Sequence, residues 1–484
     1  MIEKHARETA RAFFICARST CACNDELVGK SVPPKLVPVT PLPSPSLSTR
    51  SPHSLFIRGG RIIDPASGRD EIGDLLVTDG RIAKSTAAPT DSSVPVIDAK
   101  GLIVAPGLID MHVHLREPGG AQKETIATGS RAAAAGGFTS ILAMPNTNPP
   151  ADGPNTIALM RQRAHETACV NVFTTGCITV GMKGEQLAPI GSLYKAGVVA
   201  LTDDGHCVQN NEVMRRALDY ARMFDLLTLD HCQDYELSAG GVMHEGYWST
   251  VLGLPGWPRI AEDMIVARNI LLSELTGARI LMQHLSSANS VRLIREAKQR
   301  GVKVYAEAMP HHIALTDESI QGYNTNFKMN PPLRERADQE ALLAGLADDT
   351  IEILASDHAP HASYEKEVEF ADAPFGIVGL ETELGIFTKI LIEGRVLDWP
   401  QMLAKLTINP ARLLKLDRGT LAPGALADIT LIDPAHAWKV DAEKLHSLSR
   451  NTPFHGWDLP ARATHTIVEG KVVWNLERQF AERW

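Results

Sequence analysis

The chain has 484 residues, 44% of them hydrophobic and 22% charged, with a formal net charge of −9. That length and composition describe a globular protein with a well-filled core and room for more than one domain, which excludes collagen, coiled coil and wholesale disorder. The acidic balance leaves no electrostatic footprint for nucleic acid or an anionic membrane, so an anionic ligand must be held by a local cation.

No apolar run reaches the roughly 18 residues needed to cross a bilayer. Seven cysteines, odd in number and irregularly spaced, point to a reducing, cytoplasmic setting rather than a disulfide framework. Residues 1–53 read as a disordered N-terminal extension, because the Pro/Ser-rich "SVPPKLVPVTPLPSPSLSTRSPHS" can bury little apolar surface. Before it, "ARAFFICAR" sets a short apolar centre between arginines in the manner of a targeting peptide, while Glu3 and Glu8 argue instead for an extended start. Cys16, Cys21 and Cys23 lack a second pair at finger-like spacing and read as incidental thiols.

Over 54–108 the pattern turns to short strands, "LFIRGGRIID", "IGDLLVTDGRIAKS" and "VPVIDAKGLIVAPG", punctuated by Gly and Asp-Gly turns. Similar material returns over 417–484 in "GTLAPGALADITLID" and "THTIVEGKVVWN". The two flanks predict one small composite β-sandwich domain formed from both chain ends. Between them, 109–416 alternates strand-like runs with helical stretches, the sign of βα units and a parallel sheet. The runs are "LIDMHVH", "TSILAMPN", "VNVFTTGCIT", "VVALTDDG", "LLTLDHC", "ARILMQH", "KVYAEAMPHH" and "IEILASDH". Eight such units make the predicted fold class α/β, a (β/α)8 TIM barrel. A long connection, "ELSAGGVMHEGYWSTVLGLPGWP", carries Tyr and Trp residues that read as packing, with a mouth-covering or subunit contact as the alternative.

In "DMHVHLREPG", His112, His114 and Arg116 occupy alternate positions and so project from one face of a strand at steps of about 6.7 Å. Seven of the eight runs end near a polar side chain: His114, Asn146, Asp204, His231, His284, His312 and Asp357. Singly, each has an ordinary reading as a hydrogen-bonded cap or turn former. Together they fall at the carboxyl ends of the strands, where this fold builds its active sites. Four neutral imidazoles and two carboxylates suit two divalent cations bridged by a carboxylate, at a separation of about 3.5–4 Å. Nitrogen and oxygen donors without thiolate suit Zn²⁺ and leave Mn²⁺ and Co²⁺ open. Cys207 and Cys232 lie close by in sequence; Cys232 should point away from the face used by His231 and reads as structural.

The motifs "DMHVHLREPG", "GGFTSILAMPNTNPP", "LTDDG", "DHCQD", "QHLS", "KMNPPLR" and "SDHAPH" resemble, in order, those of bacterial dihydroorotases of the amidohydrolase superfamily, and they span nearly everything from residue 55 onward. The resemblance implies that His112 and His114 ligate one metal, that His231 and His284 ligate the other, and that Asp204 bridges them, with Asp203 its competitor. It implies that Asp357 is both a ligand of the first metal and the catalytic proton shuttle, and that Arg116, Asn146, Asn330 and His361 contact substrate. Arg116 would grip the carboxylate of dihydroorotate through two parallel hydrogen bonds.

The implied reaction is the reversible cyclisation of N-carbamoyl-L-aspartate to L-dihydroorotate in pyrimidine biosynthesis, through a hydroxide bridging two metals. A homo-oligomer and a complex with aspartate carbamoyltransferase are the implied assemblies. The competing readings are a dihydropyrimidinase-like or allantoinase-like hydrolase and a non-catalytic scaffold for the carbamoyltransferase. "LTDDG" with Arg116 favours dihydroorotase over the first two, and the complete ligand set disfavours the third. One departure from the family pattern is Gln233 in "DHCQD", where a glutamate is usual.

Overall fold

The computed structural model describes residues 54–480. The predicted N-terminal extension, with its three cysteines, lies outside the described residues. The central runs are apolar at successive positions rather than at alternate ones, as expected of parallel strands covered on both faces. Leu108–Val113 and Phe138–Ala143 are buried along their whole length. From there the sheet proceeds in chain order through Asn171–Gly176, Ala200–Leu201, Leu227–Asp230, Ile280–Met282, Val304–Ala308 and Ile353–Leu354. Every neighbouring pair is parallel. The eighth strand returns to the first through a parallel bridge between Val113 and His358, and His114 N donates to the His358 carbonyl at 2.9 Å. The result is a nearly closed eight-stranded barrel whose carboxyl ends meet at one mouth.

The intervening helices follow from local chemistry. Asn211–Met223 starts where the Asn210 side chain accepts from the amides of Glu212 and Val213, and it buries Met214, Ala217, Leu218 and Ala221, the i, i+3, i+4, i+7 stripe of a helix lying on a sheet. Ile126–Gly136 is capped by Thr125 and stops at Gly137, whose φ of 96° suits a residue without a Cβ. In the long connection after the fifth strand, Met243–His244 pairs parallel with Gly256–Trp257. Trp257 is buried there as expected, whereas Tyr247 is 68% exposed and meets the Trp248 ring edge-on, with centroids 5.2 Å apart.

Strands from both flanks form one nine-stranded sheet. Ile103–Pro106 from the first flank lies antiparallel to Ile429–Asp433 from the second, which joins the two ends of the chain. The long strand Leu55–Asp64 shifts register between Ile57 and Gly60, pairing with Val96–Asp98 before the shift and with Ile103 and Val104 after it. A side chain at position 60 would meet Val104 Cγ2 at 2.4 Å, so glycine there permits the close approach of strands. Ile63, Ile103, Ile432 and Trp474 of this sheet belong to the same buried cluster as Leu108, Ala132 and Phe138 of the barrel. Each such large side chain contributes about 1.5–3 kcal/mol on burial, so the sheet and the barrel floor stabilise each other.

Candidate metal centre

The barrel mouth brings together donors from five strand ends. Asp204 Oδ1 lies 3.3 Å from His112 Nε2, 3.7 Å from His231 Nδ1 and 3.6 Å from His284 Nε2, while its Oδ2 lies 3.2 Å from His114 Nε2. Asp357 Oδ1 is 3.2 Å from His114 Nε2 and 3.5 Å from His112 Nε2. Two groupings fall within mutual ligand reach: His112 with Asp204 and His284, and His112 with His114 and Asp357. His231 stands outside both but touches the first, its Nδ1 2.7 Å from His284 Nε2. Asp203, the competitor for the bridging position, faces away. Its carboxylate accepts from the amides of Ile178 and Thr179 at 2.8 and 3.1 Å and from the Thr179 hydroxyl.

His112, His114 and His231 each have the remote nitrogen engaged, which selects the nitrogen turned inward. His112 Nδ1 meets Glu307 Oε1 at 2.7 Å, with both side chains fully buried. His114 Nδ1 meets Asn146 Oδ1 at 2.9 Å, and His231 Nε2 meets Gln233 Oε1 at 2.9 Å. Behind His231, Asp230 is paired with Arg268 at 2.8 Å and accepts from Asn269 at 2.6 Å. Cys207 and Cys232 sit against this cluster, and burial first, then Asp230, pushes the Cys207 thiol up to about 12. Both cysteines are therefore neutral packing groups, as expected from sequence for Cys232.

The residues fit divalent cations. Ligand atoms at about 2.1 Å around a tetrahedral ion stand about 3.4 Å from one another, the spacing of most of the contacts above. His112 Nε2 and Asp204 Oδ1 are buried without a hydrogen-bond partner. Among the described residues no lysine or arginine forms an ion pair with Asp204 or Asp357. The field is that of a cation trap. Burial opposes charge on His112, yet Asp204, Asp357 and Glu307 raise its pKa well above the ordinary imidazole value. Burial likewise opposes ionisation of Asp357, but His112 and His114 hold its carboxyl well below the usual carboxylate range. His284 goes the other way, lowered to about 4 by burial and by the neighbouring His231 and His112, so it offers a free lone pair at neutral pH. A third grouping, His244 with Asp317 and Glu335, lies elsewhere and receives the guanidinium groups of Arg259 and Arg334 at 3.1 Å each, which disfavour a cation.

The four residues expected to touch substrate occupy this mouth or its rim. Arg116 is within electrostatic reach of Asp357 and Asp204, and its Nε donates to the Pro360 carbonyl at 3.2 Å. Asn330 Nδ2 donates to Gln233 Oε1 at 3.1 Å. His361 Nε2 is 2.8 Å from the Phe375 carbonyl, and its Nδ1 is buried without a hydrogen-bond partner. His312, in contrast, is not a strand-end donor. Pro310 opens a short helix, Pro310–Ala314, and carries His312 away to the Pro331 carbonyl at 2.9 Å.

Sequence reasoning missed Glu307, Asp110 and Glu124. Asp110 accepts from the His112 amide at 2.9 Å and the Ser356 amide at 3.3 Å, tying the first strand to the eighth. Glu124 meets His358 Nε2 at 3.2 Å and accepts from the Leu448 amide at 3.1 Å. The available signal was a carboxylate inside an apolar run, as in "VYAEAM", since charges are almost never buried unpaired.

Comparison with known proteins agrees with this geometry. A family profile described as Dihydro-orotase-like matches residues 101–290, and one described as Amidohydrolase family matches residues 277–474. The chain is 53% identical over 424 residues to a dihydroorotase of Citrifermentans bemidjiense, covering 87% of this chain and 99% of that protein. It is also 53% identical over 419 residues to a dihydroorotase of Pelotomaculum thermopropionicum, covering 87% and 98%. Among solved structures, the L-hydantoinase (dihydropyrimidinase) from Arthrobacter aurescens shares the fold with a TM-score of 0.79 at 24% identity, covering 87% of this chain and 96% of that one. The dihydropyrimidinase from Brevibacillus agri gives 0.78 at 23% identity, covering 88% and 96%. With matching sequence over most of its length and a barrel of the amidohydrolase type, the chain belongs to the dihydroorotase family of amidohydrolases.

Proposed function

We propose that this cyclic amide hydrolase interconverts L-dihydroorotate and N-carbamoyl-L-aspartate at the barrel mouth, with Asp357 as its proton carrier and Arg116 as the grip on the substrate carboxylate. The observation that carries the reading is the convergence of His112, His114, Asp204, His231, His284 and Asp357 on one buried cage beside an arginine. Sequence identity of 53% to dihydroorotases supports the choice of ring.

His112, His114 and Asp357 would hold one ion, His231 and His284 the other, and Asp204 both. Zinc is the metal the N/O donor set favours. When bound, such a pair supplies Lewis acidity and brings the pKa of water towards neutrality. The carboxylate of Asp357 takes the proton released when water adds to the ring carbonyl and delivers it to the departing ring nitrogen. His112 and His114 beside it keep it ionised. Arg116 would grip the ring carboxylate, Asn146 and Asn330 would contact the ring amides, and His361 would close the rim. Ring closure converts a dianion to a monoanion and consumes one proton, so lower pH favours dihydroorotate by about tenfold per unit while both carboxylates stay ionised.

Among the described residues no helix is long and apolar enough to cross a membrane. The unpaired Cys177, Cys207 and Cys232, all buried, support a reducing cytoplasm. An outward apolar stripe on Ile260–Thr276, with Met264 at 53%, Leu271 at 64% and Leu275 at 70% exposure, supports a homo-oligomer, while no feature singles out aspartate carbamoyltransferase as its partner. The test is turnover on dihydroorotate, dihydrouracil and allantoin before and after removal and restoration of zinc. Metal-dependent activity confined to dihydroorotate is expected; preference for either of the other rings would overturn the reading.

A further inference from the structure

We propose that Gln233 is a positioning residue that selects the metal-facing nitrogen of His231 and turns Asn330 so that its carbonyl oxygen, not its amino group, is offered to substrate. Ser238 Oγ spends its single proton on the Asp234 carbonyl, at 2.6 Å. It can therefore only accept from Gln233, whose Nε2 lies 2.9 Å away. That anchors the amide with Oε1 on the opposite side, 2.9 Å from His231 Nε2 and 3.1 Å from Asn330 Nδ2. A carbonyl oxygen has two lone pairs and no proton, so both neighbours must donate to it. His231 is consequently protonated at Nε2, and its Nδ1 lone pair is the one turned towards Asp204 and His284.

Asn330 spends an N–H on Gln233, while its Oδ1 is buried with no hydrogen-bond partner. An unpartnered buried acceptor is costly and calls for a donor. On the facing wall the polarity is reversed. His114 turns Nε2 to the two carboxylates, so its Nδ1 donates to Asn146 Oδ1 at 2.9 Å and leaves the Asn146 amino group free. The mouth thus offers one amide acceptor and one amide donor, each set by the outer nitrogen of a metal-ligand histidine, with Gln233 interposed on the Asn330 side. Dihydroorotate has matching ring N–H donors and carbonyl or carboxylate acceptors. The Asn330 half of this inference rests on the substrate reading above; the His231 half does not.

The proposal separates acceptor polarity from bulk. Gln233→Met keeps the volume and removes the acceptor, whereas Gln233→Glu keeps an acceptor for both neighbours and loses only the donation to Ser238. In the full-length holoenzyme, Gln233→Met should raise KM for dihydroorotate about tenfold, the worth of one hydrogen bond. Titration calorimetry of metal-stripped protein with Zn²⁺ should show one of two binding events weakened by about 10–100-fold. Gln233→Glu should restore both values to within about threefold of wild type. An unchanged KM in Gln233→Met overturns the Asn330 half, and unchanged zinc binding overturns the His231 half. A Gln233→Glu variant as impaired as Gln233→Met overturns the whole, because restoring the acceptor would then fail to restore function. Wild-type protein inactive on dihydroorotate would refute the substrate reading and leave the calorimetric comparison to decide the rest.

Discussion

Replacing Glu307 by glutamine tests whether the metal centre depends on a group that contacts no substrate. Glu307 Oε1 lies 2.7 Å from His112 Nδ1, with neither side chain exposed, and it also accepts from the His284 amide at 3.2 Å. One carboxylate oxygen therefore steadies donors from both halves of the cage. A hydrogen bond to a charged group contributes about 1.5–3 kcal/mol, and loss of such an outer partner weakens metal binding by about 10–100-fold. The two figures agree, since a hundredfold is about 2.7 kcal/mol.

Without metal the balance differs. Burial raises the Glu307 pKa, its other oxygen has no hydrogen-bond partner, and His112 keeps Asp204 at 3.3 Å and Asp357 at 3.5 Å. Glutamine relieves the desolvation, so the metal-free variant should unfold close to the metal-free wild type. At a fixed, saturating level of free zinc, the extra stability that zinc confers should shrink by about 1.4–2.7 kcal/mol. Scanning calorimetry of both proteins, with and without buffered zinc, reads this directly. An equal metal-induced shift in the two proteins would refute the role of Glu307, and a collapse of the metal-free variant would show its role to be structural.

Asp357→Asn should lower kcat by about 10²–10⁴-fold with the circular dichroism spectrum unchanged, because asparagine tolerates the φ of 48° found there; kcat within tenfold of wild type would remove Asp357 from proton transfer. Arg116→Lys should raise KM for dihydroorotate by about 10–100-fold through loss of the two-pronged grip, while any residual turnover of dihydrouracil stays unchanged; an equal effect on both rings would refute carboxylate recognition. His361 is lowered to about 2 by burial and then by Arg116, Lys366 and Lys123, so the unfolded chain binds the extra proton below the ordinary value of 6.5. Its contribution to stability is therefore complete above about pH 6.5 and is lost on acidification, at up to about 1.4 kcal/mol per unit. Urea midpoints at pH 5 and 7 should show the wild type losing more stability than His361→Asn, and parallel losses would refute the assignment.

The rim was legible where a pattern of period two met a polar residue. "DMHVH" placed His112 and His114 on one face, and the chain order of motifs placed His231 and His284 at strand ends, because a parallel barrel turns sequence order into spatial order. Asp204 and Asp357 were harder, since the strands that carry them, Ala200–Leu201 and Ile353–Leu354, are only two residues long and show no periodicity. Their place at the ends of apolar runs was legible, and the family motifs supplied their roles. His312 was misplaced for a local reason, namely that "MPHH" continues an apolar run on paper while Pro310 starts a helix. Glu307 was invisible as a partner of His112 because the two are 195 residues apart and meet across the barrel, a relation that no window of sequence contains.

Backbone conformation shows the same division between local and global causes. Arg116, His284 and Asp357 have φ values of 57°, 34° and 48°, and none is a glycine. Left-handed backbone costs an L-residue about 1–2 kcal/mol, so local preference argues against all three conformations. They persist because their neighbours are held from elsewhere. Glu307 accepts from the His284 amide, and Asp110 accepts from the Ser356 amide, while the His358 amide donates to Ser356 Oγ at 3.0 Å and the His358 carbonyl accepts from the first strand. Asp357 is thus pinned on both sides by bonds that its own side chain does not make, which leaves its carboxylate free to face the cage. The strained positions coincide with the proposed proton carrier, a proposed metal ligand and the proposed carboxylate grip, and behind His284 and Asp357 the buried acids Glu307 and Asp110 supply hydrogen bonds that offset the strain.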